Sequence, residues 1–247
     1  MLSQKRGQTT LFIIIGIVVI AIIILAWQLV KNKPSSEPDS SFSSAADSIK
    51  YSIESCNENL AKNSTILLGL QSGRYKAYSY PIEGNDDYYG MGTFYISHYV
   101  YGNNNVQFSL GDVEKEFNEY YKDNMLSCLD NFYDFAAKGY KIDPKNLKLN
   151  IEFLDESTIF SLDYDVLVSK GTKKKTLSNY KPAEVPLRFK KTFDVATEIS
   201  SVYSEQGYLP DSKQNTIINN IGNSKVIRLV DLENDRERRY VFYFAVN

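Results

Sequence analysis

Histidine and cysteine are nearly missing from this chain: His98 stands alone, and Cys56 and Cys128 are the only thiols in 247 residues. A zinc site draws on clustered Cys and His ligands, which one histidine and two distant cysteines do not provide. The same scarcity argues against Ser-His-Asp and Cys-His hydrolases. Each would have to use His98, and no nucleophile-elbow pattern surrounds it. In Phe94-Tyr95-Ile96-Ser97-His98-Tyr99 the histidine reads as a structural or surface residue of a strand. Phosphate loops are absent as well, because no Gly-rich turn ends in Gly-Lys-Ser/Thr. Excess positive charge is also lacking. The formal net charge is −2, and with Lys5, Arg6, Lys31 and Lys33 set aside the rest carries 24 basic against 30 acidic residues, about −6. Nucleic-acid binding rests on counterion release by basic side chains, so no nucleic-acid partner is expected. The nearest thing to a cation loop is Asp231-x-Glu233-x-Asp235, which lacks the Gly and final Glu of an EF-hand. No cofactor or metal is expected, and the chain reads as non-enzymatic.

What the chain does have is an uncharged run over residues 9–30, 22 residues dominated by Ile, Val and Leu. At about 1.5 Å per residue a helix of that length crosses roughly 30 Å of hydrocarbon. Its β-branched residues favour strands in water, but in lipid the backbone must satisfy its own hydrogen bonds, which selects a helix. Trp27 falls near one end, where an indole favours the interface. The apolar stretch is too long for a cleavable secretory signal, and no small-x-small site follows it. Residues 9–30 are therefore expected to contact the bilayer as a single-pass transmembrane helix. The arm of residues 1–8 would lie inside, and the rest would be extracytoplasmic at the cell membrane.

The arm itself, Lys5-Arg6-Gly7-Gln8, resembles the class III signal of archaeal type IV pilins and related surface proteins. The resemblance implies a processing site between Gly7 and Gln8. Pilins commonly carry Glu five residues into the mature chain, where this sequence has Phe12.

Residues 31–44 are rich in Pro and Ser and include Pro34 and Pro38. Proline lacks an amide donor and breaks helices, so a flexible linker is expected between the anchor and a domain over residues 45–247. That domain divides into a helical and aromatic part, 45–140, and a β-rich part, 141–247. In the first, Ala46, Ile49, Ile53, Cys56 and Leu60 recur at helical spacing, with Asp47, Lys50, Glu54 and Glu58 on the other face. Gly69 and Gly73 mark its end. A second helix is expected from Leu110, with Asp112 as cap, a buried face of Val113, Phe117, Tyr121, Cys128, Phe132 and Phe135, and a stop at Gly139. Both cysteines then fall on inward stripes. An even pair in an extracytoplasmic domain reads as a Cys56–Cys128 disulfide, the alternative being two separate buried thiols. Closing a loop of about 70 residues would contribute on the order of 4 kcal/mol.

Between the helices lie Tyr75, Tyr78, Tyr80, Tyr88, Tyr89, Phe94, Tyr95, Tyr99 and Tyr101, broken by turn residues into short strands. Tyr78, Tyr80, Tyr95, Tyr99 and Tyr101 form a candidate exposed face for a glycan or protein partner. The competing reading packs these rings on a sheet with their hydroxyls in water. Asn63-Ser64-Thr65 is a sequon, making Asn63 a candidate glycosylation site.

The β-rich part alternates clearly. Leu147 to Phe153 forms one strand, and Phe160, Leu162, Tyr164, Val166 and Val168 mark the inward side of another, the two joined through Asp155-Glu156-Ser157. Asp163 and Asp165 face water, and Lys173-Lys174-Lys175 reads as a solvated hairpin tip. A strand with Val185, Leu187 and Phe189 leads into a helix bearing Phe193, Ala196, Ile199 and Tyr203. Two strands, 226–230 and 240–246, close the chain. Antiparallel strands with segregated helices imply an α+β fold.

A wider resemblance rests on Ile53-Glu54-Ser55-Cys56, Leu68-Gly69-Leu70-Gln71-Ser72-Gly73, Ser127-Cys128-Leu129-Asp130-Asn131-Phe132 and Tyr240-Val241-Phe242-Tyr243-Phe244-Ala245-Val246. These segments look like those of poorly characterised single-pass surface proteins of small-genome archaea with a two-cysteine ectodomain. The expectation is a tethered, non-enzymatic binding or structural module of the cell envelope, with oligomerisation open. The alternative is a type IV pilin-like subunit of a surface filament.

Overall fold

The computed structural model describes residues 20, 39–76, 81–86, 92–102, 104–209, 215–231 and 240–247. Of the apolar run 9–30 only Ile20 is among them; it is helical and exposed. The anchor, the Gly7–Gln8 junction and most of the Pro/Ser segment thus lie outside the described residues. Among the described residues no helix is long and apolar enough to cross a membrane. Residues 45–247 form one compact unit.

Helix α1, Asp39–Leu70, begins seven residues earlier than its apolar stripe and inside the segment expected to be linker. Proline is disfavoured inside a helix but not just before one, so Pro38 can stand directly ahead of Asp39. All five stripe residues from Ala46 to Leu60 are buried. Gly69 lies inside the last turn because a Cβ there would sit 2.3 Å from Tyr240 Oη. Gly73, at φ +82°, takes the chain out of the helix.

Helix α2, Leu110–Cys128, starts from a capping box. Ser109 is the cap, and Asp112, expected to be the cap itself, is its reciprocal partner three residues on. The buried stripe is Val113, Phe117, Tyr121 and Met125. The helix stops at Cys128 instead of running to Gly139. Asp130, Asn131 and Phe132 have φ of 47°, 49° and 57°, a left-handed turn that ends the helix and re-aims the buried Phe132 before a short helix α3, Tyr133–Ala137.

Among the described residues the strands form four sheets. Strand β1, Ile82–Asp86, pairs with β2, Gly92–Ile96. In the main sheet, β3 (His98–Tyr101), β4 (Asn104–Asn105), β11 (Thr216–Ile221), β12 (Ser224–Asp231) and β13 (Tyr240–Val246) run in the order β11-β12-β13-β3-β4. Strand β13 pairs antiparallel with β12 and parallel with β3, the parallel ladder in an otherwise antiparallel set. The expected hairpin is β6, Lys148–Phe153, with β7, Thr158–Asp163, closed by Leu154 N–H donating to Ser157 O; β10, Ala183–Val185, adds to it. The alternating run 160–168 is not one strand. It breaks after Asp163, and β8, Val166–Lys170, joins a different sheet between β5, Lys141–Pro144, and β9, Lys173–Leu177. Likewise β10 ends at Val185, and Phe189 opens helix α4, Phe189–Gln206.

Phe189 explains that early switch to helix. Its ring lies 5.6 Å from Phe117, 5.7 Å from Phe153, 5.8 Å from Phe242 and 6.2 Å from both Phe193 and Tyr240. One side chain thereby joins α2, β6, α4 and β13, and the α+β core closes around it. Buried polar atoms follow the same junctions. Asn57 on α1 donates to Phe160 O at 3.2 Å and accepts from Tyr121 Oη at 3.1 Å.

Candidate functional site

The two cysteines are joined: Cys56 and Cys128 form a disulfide with Cα atoms 5.9 Å apart. Only Cys56 sits on an inward stripe. Cys128 is exposed, because the buried row 113-117-121-125 advances in steps of four to Leu129 and leaves Cys128 beside it. The staple runs from the core to the surface at the point where α2 ends.

The five candidate tyrosines do not share one face. Tyr78 and Tyr80 lie outside the described residues. Tyr99 is fully buried, its ring 5.1 Å from Phe244 and 5.5 Å from Phe108, and its hydroxyl donates to Ser72 O at 3.1 Å. Burial pushes the Tyr99 phenol well above its usual value, and it pushes Tyr121 up too, with Tyr120 adding to the effect. Both hydroxyls stay neutral and serve the core. Tyr95 and Tyr101 remain at the surface, 40% and 45% exposed.

Asn63 is exposed on α1, but Thr65, which completes the sequon, is fully buried and donates to Ala61 O at 2.7 Å. Glycan transfer that reads this threonine would have to precede formation of α1. His98 is half-buried; its Nε2 lies 3.0 Å from Ser224 Oγ, and its ring packs edge-on to Tyr101 at 5.4 Å. The contact joins β3 to β12 across β13, and Ser224 is buried, so the serine has no open side for a substrate.

Asp231, the first residue of the acidic loop that most resembles a cation site, has another role. Its carboxylate is buried and takes a two-pronged grip from Arg188, with Nε donating at 2.6 Å and Nη2 to the second oxygen. Glu156 lies 3.9 Å from Arg188 Nη1. Glu233 and Asp235 lie outside the described residues. Among the described residues no group of three or more His, Cys, Asp or Glu side chains is placed to hold a metal ion. Asp163 and Asp165 are exposed, as their alternation predicts.

The surface feature that stands out has no periodic signature in the sequence. Strand β11, Thr216-Ile217-Ile218-Asn219-Asn220-Ile221, is an edge of the main sheet and is exposed along both faces. Ile217, Ile218 and Ile221 are 45%, 41% and 46% exposed. The available signals were the isoleucines and the two-residue Gly222-Asn223 turn into β12, but paired asparagines read as loop.

No protein-family model, curated protein or solved structure matches this chain.

Proposed function

We propose that the chain is a membrane-anchored, non-enzymatic module of the cell envelope. In this reading it is held by residues 9–30 with its arm inside, and its folded unit stands outside to bind a protein or glycan. The observation that carries the reading is the Cys56–Cys128 disulfide, with Cys128 an exposed residue. A solvent-facing disulfide persists where the surroundings are oxidising and is reduced in a cytosol. The uncharged 22-residue run ahead of it supplies the anchor. Exposed Tyr95 and Tyr101 offer aromatic contacts to a partner. The test is protease shaving of intact cells. Digestion of the folded unit without lysis supports the reading, and protection until lysis overturns it.

The pilin-like alternative is favoured by Lys5-Arg6-Gly7-Gln8 and by α1 opening at Asp39. That start leaves only residues 31–38 between the apolar run and a long helix. Pro34 and Pro38 within those eight residues weigh against a continuous helix at about 3 kcal/mol each. N-terminal sequencing of the protein from native membranes separates the two: a start at Gln8 together with filaments containing the chain selects the pilin-like subunit.

A further inference from the structure

Edge strands expose unpaired N–H and C=O groups, and proteins protect them with charge, proline, shortness or cover. The other described edges of this molecule follow that rule. Strand β9 opens with three lysines, β5 carries Lys141 and ends at Pro144, and β6 carries Lys148 and Glu152. Strands β10 and β4 have three and two residues. Strand β2 is uncharged but covered, since Tyr95 N–H donates to Gln71 Oε1 at 3.2 Å. Strand β11 alone among the described edges has six residues with no charge, no proline and no cover. In a chain that is 23% charged, such an edge is built to be paired.

Its register identifies the partner. Val230 N–H donates to Asn215 O at 3.0 Å, and the antiparallel alternation that follows points the main-chain groups of Ile217, Asn219 and Ile221 toward β12. Those of Thr216, Ile218 and Asn220 face the open edge. The residues on one face of the strand, Ile217, Asn219 and Ile221, read the same in both directions about Asn219. An identical strand laid antiparallel and centred on Asn219 sets Ile218 opposite Asn220 of the other copy, both with free main-chain groups, so they exchange hydrogen bonds. On the other face of the pleat it sets Ile217 opposite Ile221 twice, flanking Asn219 opposite itself. These fall in the close, non-hydrogen-bonded pairs where cross-strand side chains interact best. We propose that β11 is a homodimerisation edge, joining two copies by a two-fold axis through Asn219 into one continuous ten-stranded sheet.

This inference does not depend on the membrane reading, and its test is separate. The full chain in mild detergent, oxidised and run without reductant, is compared as Asn219→Cys and Asn220→Cys. At the two-fold axis the paired Cα atoms of residue 219 would be about 4.5 Å apart, within disulfide reach. In Asn220→Cys the two introduced sulfurs would be held too far apart, so about tenfold more cross-linked dimer is expected from Asn219→Cys. In parallel, light scattering should show the wild-type dimer mass halved in Ile218→Lys with the far-UV circular dichroism spectrum unchanged. A monomeric wild type overturns the proposal and assigns the edge to a foreign strand. A dimer that survives Ile218→Lys and cross-links equally in both cysteine variants overturns it and assigns association to the apolar run.

Discussion

Strands β13 and β11 belong to the same sheet, separated only by β12, yet six of seven side chains in β13 are buried and five of six in β11 are exposed. Both are rich in β-branched or aromatic residues, so β propensity does not distinguish them. Their neighbours do. Phe242 of β13 meets Phe189 and Phe193 from α4 and Tyr99 from β3, and Tyr240 fills the space above Gly69 of α1. Helix α4 reaches β12, where Lys225 Nζ lies 5.3 Å from the Tyr203 ring. On β11 the side chains stay open on both faces. One strand is the spine of the fold and the other an edge it offers outward.

Substitutions should expose that contrast. The largest effect is expected from Phe242→Ala, which removes a fully buried ring from the aromatic junction. Chemical denaturation of the full chain should show a loss of about 3–5 kcal/mol. Arg188→Met, at the β12 end of the same sheet, strands the buried Asp231 carboxylate and should cost a similar or slightly smaller amount, about 3–4 kcal/mol. Adding Asp231→Leu should recover most of that loss, and a double variant no better than the single would show that the pair does more than neutralise itself. Gly69→Ala should cost about 1–3 kcal/mol by forcing the Tyr240 ring aside, and a melt equal to wild type would mean that β13 sits less tightly on α1 than described.

A smaller, pH-dependent effect belongs to the α2 cap. Asp112 is held well below its ordinary value of 3.8, first by the Lys115 hydrogen bond and then by Ser109. The folded value is depressed, so the stabilisation is full above the ordinary value and is lost as pH falls through it toward the folded one. Melts of wild type and Asp112→Asn should differ at about pH 6 and converge toward about pH 2. The smallest change is expected from Ile218→Ser on β11, within about 0.5 kcal/mol for the folded unit. A loss comparable to Phe242→Ala would break the comparison outright.

Much of this architecture was legible where neighbours in sequence are neighbours in space. The 3–4 spacing from Ala46 to Leu60 gave the buried face of α1, and the alternation of 147–153 with the turn at 155–157 gave the β6–β7 hairpin. The misread features depend on distant partners or on a local break in the chain. Cys128 faces inward only if Phe132 continues α2, and the left-handed turn at Asp130–Phe132 interrupts that periodicity. Tyr99 carried no local mark separating it from Tyr95 and Tyr101; its burial is decided by Phe244, about 145 residues away. The Arg188–Asp231 pair joins residues 43 apart in sequence, and neither carries a local mark of the other.

The parallel ladder between β3 and β13 also orders events in time. The thiols of Cys56 and Cys128 are available together once the chain is made to residue 128, more than a hundred residues before β13 exists. With only two cysteines there is one intramolecular pairing, so oxidation cannot choose a wrong mate. A chain made from its N-terminus can lock α1 to α2 while the centre of its main sheet is still missing. The β3–β13 closure, a contact of high sequence separation, is then expected to be a slow step. Until β13 arrives, β3 and β12 are themselves unprotected edges, and the disulfide limits how far the unfinished chain can stray.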